Sequence, residues 1–111
     1  MRLARLADDD WELDDGEEYH RDAPTSFELP PFAERNSLQP GAMVKVMLRI
    51  LLADDSGTEH EEVERMWVEV VERVGSLYRG RLDNQAVSTP EIGPGFEVVF
   101  EPRHVIQIWR E

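Results

Sequence analysis

The pattern of polar and apolar positions changes at Gly41. Before Gly41, apolar residues are isolated among acidic residues and prolines. After it, they alternate with polar residues, which is typical of a half-buried strand. In the first such segment, one face carries Lys45, Met47 and Arg49. The other face carries four aliphatic residues, Val44, Val46, Leu48 and Ile50. The sequence therefore predicts a strand that begins just after Gly41.

Similar alternation predicts three or four more strands. Gly75 and Ser76 lie between two of them and have the composition of a two-residue hairpin turn. The residues predicted to point inward are Met66, Val68 and Val70 in the second strand, Tyr78, Gly80 and Leu82 in the third, and Phe96, Val98 and Phe100 in the fourth. A last segment from Val105 to Trp109 also alternates. The acidic stretch 54–64 between the first two strands is interpreted as a turn and a polar loop.

These elements predict a mainly all-β domain. Short strands separated by turn signals, with no amphipathic helix after residue 40, favour a small SH3-like or strongly bent antiparallel barrel. One short helical turn is expected in the segment PPFAER, because Pro31 suits the first position of a helix.

Four residues are predicted to have structural roles. Gly80, inside a strand, indicates a bulge or the close approach of a neighbouring strand or of Trp67. Gly41 precedes the first barrel strand, and Gly95 ends the tight turn GPG. Asn84 is expected to fix the end of a hairpin through a bond from its side chain to the backbone.

Charge is concentrated near the start of the chain. The sequence contains 24 Asp and Glu against 12 Lys and Arg, a net charge of −12, and eight of the eleven residues 8–18 are acidic. Such a run repels itself and lacks a continuous apolar face. We therefore predict an irregular, mobile acidic arm at 1–25 and a single β-barrel-like domain at 26–111.

The charge also bears on partners and location. A charge of −12 repels nucleic acid phosphates and anionic lipids, so we expect neither nucleic acid nor membrane binding, and a basic protein is the favoured partner. The chain lacks cysteine, which excludes thiol chemistry and fits a reducing cytosol. The first fifteen residues lack the apolar core of a signal peptide. A cytoplasmic protein is therefore predicted.

Several motifs follow one another from Gly41 onward. They are G-x-x-V-K from Gly41, E-R-M-W-V from Glu64, G-x-L-x-N from Gly80, and G-x-x-V-x-F-x-P-x-H from Gly95. Over residues 26–106 this order resembles the bacterial domain of unknown function 2314 family. The resemblance implies a small, β-rich cytoplasmic domain without an established activity, so it transfers no catalytic residue. Ala42, where the family usually has an acidic residue, departs from the pattern, as does the long acidic loop 53–64.

No catalytic constellation, metal site or cofactor is predicted. The segment HEEVE has Glu64 where a zincin helix needs its second histidine, and the three histidines lie in separate segments. His104 is expected to cap a turn through backbone hydrogen bonds. The serines lack the G-x-S-x-G elbow of a nucleophile.

The sequence thus favours a non-enzymatic interaction module that presents an acidic surface to a basic protein. Trp67 lies on the outer face of its strand, where we expect it to receive Phe27, Leu29 and Phe32, which need an apolar surface, rather than to form a ligand platform, the alternative. The candidate binding residues are Trp67, Glu69, Glu61, Glu62, Asp54 and Asp55. One alternative is an immunity-type inhibitor of a bacterial toxin, and a further one is a metal-dependent enzyme.

Overall fold

The structure is a computed structural model that describes residues 1–111. It contains three short α-helices, six strands and one 3-10 turn. In chain order these are α1 (Leu6–Asp9), β1 (Trp11–Leu13), α2 (Gly16–Asp22), α3 (Phe32–Arg35), β2 (Met43–Ala53), β3 (Glu59–Val74), β4 (Leu77–Leu82), β5 (Glu97–Phe100), the 3-10 turn (Pro102–His104) and β6 (Gln107–Ile108). The longest helix, α2, has 7 residues, and none of the helices could cross a membrane.

The strands form one antiparallel sheet in the order β1-β2-β3-β4-β5, and β6 pairs with the start of β2. The sheet curls into a half-barrel. Its two ends approach each other, since the rings of Trp11 in β1 and Phe96 just before β5 are 5.4 Å apart in an edge-to-face contact. The predicted β-rich, strongly bent antiparallel fold is therefore confirmed.

The concave face of this sheet forms the hydrophobic core. The residues predicted to point inward are buried, apart from Phe96, which is partly exposed and packs against the core. Met47, predicted for the polar face of β2, is also buried, with 2% exposure. The reason is that the N-terminal segment lies over this face: Arg49, two residues along the same face, bonds to Asp14 and Tyr19.

The segment 54–64, predicted as a loop, is mostly strand. β3 begins at Glu59, which pairs with Ala53, and only residues 54–58 form the turn. The alternation was hidden because the residues from Glu59 to Val63 are exposed on both faces of the strand. Apolar and polar residues alternate along a strand only where one face of the strand is buried, so this part of β3 shows no such pattern.

The prediction of an irregular arm is wrong for residues 6–22. This segment forms α1, β1 and α2, and β1 pairs with β2. Its acidic residues do not simply repel one another, because arginines from later parts of the chain bind them. The pairs are Arg49 with Asp14 at 2.8 Å, Arg35 with Glu17 at 2.8 Å and Arg103 with Asp15 at 3.1 Å.

The structural glycines lie at tight positions. A Cβ at Gly80 would be 2.5 Å from Val68 Cγ1 and 2.6 Å from the Glu69 carbonyl oxygen. The close neighbour is therefore β3 and not the Trp67 ring, and the register of β3 shifts between Val70 and Glu72, beside this contact. Gly41 and Gly95 have φ of +92° and +89°, which glycine adopts without steric cost.

Two local predictions from the sequence are confirmed. Gly75 and Ser76 connect β3 to β4, with Val74 paired to Leu77. The helical turn in PPFAER is α3; it begins at Phe32, and Pro31 is its N-cap residue rather than its first helical residue.

Candidate interaction surface

The end of β2, the turn that follows it and the start of β3, residues 53–63, form one continuous segment that we call the acidic ribbon. Every one of its residues is exposed. It carries five carboxylates and neither Lys nor Arg; the acids are Asp54, Asp55, Glu59, Glu61 and Glu62. Four of the six predicted binding residues therefore lie on one continuous element.

Asp54 shapes the turn at the tip of the acidic ribbon. Its carboxylate accepts hydrogen bonds from the Ser56 hydroxyl at 2.6 Å, the Ser56 N–H at 2.9 Å and the Thr58 N–H at 3.0 Å. These bonds, the Ser56 hydroxyl first, lower the pKa of Asp54. Asp55 makes no such bond and is exposed, so it is available to a partner.

Glu61 and Glu62 lie on opposite faces of the ribbon. Glu61 Oε1 is 3.0 Å from Arg49 Nη1, which links the ribbon to the outer face of β2. The Glu62 carboxylate is 3.7 Å from His60 Nε2, and both side chains are more than half exposed. Exposed pairs of this kind are weak, so both carboxylates can exchange these contacts for a cation of another protein.

Glu64, just beyond the ribbon, has a structural role that the sequence did not reveal. Its carboxylate accepts bonds from the Val87 N–H, the Ser88 N–H and the Ser88 hydroxyl. Burial alone would raise the pKa of Glu64, but these bonds outweigh it and the net pKa is lowered. Glu64 thereby fixes the loop that follows β4.

Trp67 forms a second surface feature, which we call the aromatic groove. The groove has a volume of about 300 Å³ and is lined by Met43, Trp67, Asp83 and Trp109. The two indole rings are 6.1 Å apart in an edge-to-face contact. Lys45 Nζ lies 4.7 Å from the centre of the Trp67 ring, a favourable cation–π distance.

The prediction that Phe27, Leu29 and Phe32 cover Trp67 is not matched by the contacts found. The Phe27 ring packs on Tyr19 at 5.3 Å and lies under Arg65. Leu29 lies beside Gly16, and Phe32 is 55% exposed. Trp109 contacts Trp67 instead, because β6 pairs with β2 and brings the end of the chain to this face.

The six predicted binding residues form two groups. Glu69 is exposed and lies two positions after Trp67 on the same face of β3, in register with Met43 and Arg81. Glu61 is six positions before Trp67, which corresponds to about 20 Å along a strand. The acidic ribbon and the aromatic groove are therefore separate features of one surface.

Asn84 supports the wall of the groove. Its side-chain oxygen accepts a hydrogen bond of 2.8 Å from the Trp67 N–H, so the predicted side-chain-to-backbone bond is present. The neighbouring Asp83 N–H donates to the Trp67 carbonyl at 2.9 Å. These two bonds complete the pairing of β3 where β4 ends.

His104 is buried at the end of the 3-10 turn, where its Nδ1 accepts a hydrogen bond of 2.9 Å from the Glu101 N–H. This is the predicted turn-capping role. Burial, with a smaller contribution from the Arg103 charge, lowers the pKa of His104 to about 4. The described residues include no group of three His, Asp or Glu side chains that could hold a metal ion.

His104 should make stability depend on pH in mildly acidic solution. Its pKa is about 4 in the fold and about 6.5 in an unfolded chain. As the pH falls below about 6.5, the unfolded state takes up a proton that the fold excludes, so stability is lost until the pH reaches the folded pKa. We expect the free energy of unfolding to fall by about 2 kcal/mol between pH 7 and pH 5, as measured by urea denaturation.

The matched variant for this measurement is His104→Asn, whose side-chain oxygen can accept the Glu101 N–H bond but does not titrate. The slope of stability against pH should become nearly flat between pH 5 and 7. An unchanged slope in the variant would assign the effect to another group.

No protein-family model, curated protein or solved structure matches this chain. The resemblance to the domain of unknown function 2314 family therefore stays a prediction, and the function is inferred from the surface alone.

Proposed function

We propose that this protein is a non-enzymatic interaction module whose acidic ribbon binds a basic protein. The observation that carries the proposal is the exposed ribbon itself, which presents five carboxylates without a Lys or Arg among them. Elsewhere in the fold many acids have arginine partners, as Asp14, Asp15 and Glu17 do. In the ribbon only Glu61 has one.

The charge of the whole chain supports the same class of partner. A net charge of −12 attracts a positively charged protein over distances up to about a Debye length, roughly 8 Å at physiological salt, and increases the association rate. It disfavours nucleic acids and anionic membranes. The absence of cysteine fits a cytoplasmic setting.

The test neutralises three ribbon carboxylates that have no role in shaping the turn, in the variant Asp55→Asn/Glu59→Gln/Glu62→Gln. A partner captured at low salt by the wild-type protein is purified, and its affinity for both proteins is measured by calorimetry. We expect the variant to bind about tenfold more weakly, because each exposed charge contributes a few tenths of a kcal/mol. We also expect wild-type binding to weaken with added salt.

The control variant Glu18→Gln/Asp22→Asn/Glu28→Gln changes the net charge by the same amount at exposed positions outside the ribbon. It should bind within about twofold of wild type. If the control loses as much affinity as the ribbon variant, binding depends on total charge and the ribbon is not the site. A partner with a toxin activity that this protein blocks would place the module among immunity-type inhibitors.

A further inference from the structure

We propose that the free edge of β3 between Glu59 and Arg65 is a docking strand, onto which the partner adds an extended segment bearing Lys or Arg. The inference rests on the proposed function, and it specifies how the acidic ribbon engages its partner. In this binding mode, called β-strand addition, main-chain hydrogen bonds hold the peptide and its alternate side chains give specificity.

The direction of the backbone groups along β3 follows from its observed hydrogen bonds. The N–H and carbonyl of Trp67 point away from β2, towards Asn84 and Asp83. Those of Val70 point the other way and bond to Ala42 and Gly41 ahead of β2. Along a strand these directions alternate from one residue to the next, so odd-numbered residues before the bulge face away from β2.

This alternation leaves a row of unpaired backbone groups. β4 ends at Leu82, and pairing beyond it stops with the bonds of Trp67. The N–H and carbonyl groups of Glu59, Glu61, Val63 and Arg65 therefore face outward where the sheet has no further strand. The row extends over about 20 Å of strand, which is the length of a seven-residue extended peptide.

The charges along this edge determine which kind of strand can bind to it. Glu59 and Glu61 flank the edge on the outer face, and Glu62 flanks it on the inner face. The segment from Glu59 to Arg65 carries four Glu and one Arg, so a second copy of this chain paired along the same edge would bring together two strands of like net charge, which is destabilising. A strand with Lys or Arg at alternate positions would instead place a cation beside these carboxylates.

The aromatic groove lies on the same strand, six residues beyond Glu61. Asn84 and Asp83 already bond the backbone of Trp67, so the added strand ends before the groove. The docking strand is thus limited at one end by the turn at Asp54 and at the other by the end of β4.

The test uses an acetylated and amidated peptide of sequence Lys-Val-Lys-Val-Lys-Val-Lys as the probe, with the full-length protein. Two N-methylated forms of the peptide carry methyl groups on all the valine amides or on all the lysine amides. Every second backbone amide of a strand faces the same side. Only one of the two methylated peptides therefore keeps unmethylated N–H groups on the side that faces β3. We expect one form to lose at least about tenfold in affinity and the other to bind within about threefold of the parent peptide.

A matched pair of variants tests the same edge by changing the protein instead of the peptide. Val63→Pro removes an outward N–H that has no partner in the fold, whereas Val63→Thr keeps it and is equally suited to a strand. The proline variant should bind the peptide at least about tenfold more weakly than the threonine variant. A dispersed amide NMR spectrum checks that Val63→Pro is folded. If this variant is unfolded, the N-methylated peptides, measured with the wild-type protein, test the docking strand on their own.

The outcomes separate this inference from the proposed function. If both N-methylated peptides bind equally well while the ribbon variant Asp55→Asn/Glu59→Gln/Glu62→Gln loses affinity, the contact is purely electrostatic; the docking strand is then wrong and the proposed function stands. If the ribbon variant binds every peptide as wild type does, the proposed function fails as well. A peptide-free dimer that protects the Val63 amide from exchange would show that a second copy occupies the edge, which also overturns the inference.

Discussion

Gly80→Ala is expected to lower the free energy of unfolding by about 3 kcal/mol. The new methyl group would be 2.5 Å from Val68 Cγ1 and 2.6 Å from the Glu69 carbonyl oxygen. The side chain of Val68 is fully buried, and Glu69 pairs with a neighbour on both sides, so neither can move away cheaply. Urea denaturation followed by circular dichroism measures the change.

Gly95→Ala is the control for this prediction. Nothing lies within 4 Å of a Cβ at Gly95, but the φ of Gly95 is +89°, so an alanine there would incur only the cost of a left-handed backbone, about 1 kcal/mol. If the two variants lose equal stability, then steric contact with β3 is not what requires glycine at position 80.

The elements that could be predicted from the sequence are those with one buried face. In β2 and β4 the inward set repeats every second residue because only that face meets the core. The turn at Gly75 was also visible, since a glycine followed by a small residue suits a two-residue hairpin. These signals are local, so the strands and their inward faces were predicted correctly.

The parts that could not be predicted depend on contacts between distant residues. The acidic segment around Asp14 is ordered by Arg49, Arg35 and Arg103, and their approach depends on the completed fold. The same holds for Trp109, which reaches Trp67 only because β6 pairs with β2. A pattern of charges shows which residues can form ion pairs but not which ones meet.

The candidate surface was predicted in composition but not in geometry. Its acids were identified as a polar loop, because a ribbon exposed on both faces shows no apolar period. The open edge at Glu59 to Arg65 exists because β4 is shorter than β3. The relative length of paired strands is a property of the sheet, so the edge became visible only in the structure.

Arg49→Met is expected to lower the free energy of unfolding by about 3 kcal/mol, because it leaves a buried carboxylate without its cation. Arg49 holds Asp14 with two bonds of 2.8 Å, from Nε and Nη2, and the Asp14 side chain is only 9% exposed. In the variant only the Tyr19 hydroxyl, at 2.6 Å, would still donate to that carboxylate. The same Tyr19–Asp14 bond, with burial, raises the pKa of Tyr19.

A double-mutant cycle separates the ion pair from the other contacts of Arg49. Asp14→Asn alone should lower the free energy of unfolding by less, since the amide oxygen can still accept a bond. The double variant should be about 2 kcal/mol more stable than the sum of the two single changes implies.

Because Asp14 lies between β1 and α2, amide hydrogen exchange should rise first across residues 11–22 in Arg49→Met. If the changes are additive and exchange rises evenly over the whole sheet, Arg49 does not anchor the N-terminal segment. Arg49 also contacts Glu61, with 3.0 Å between Arg49 Nη1 and Glu61 Oε1, but the Glu61 side chain is 42% exposed. This solvated ion pair is too weak to account for a coupling energy of about 2 kcal/mol.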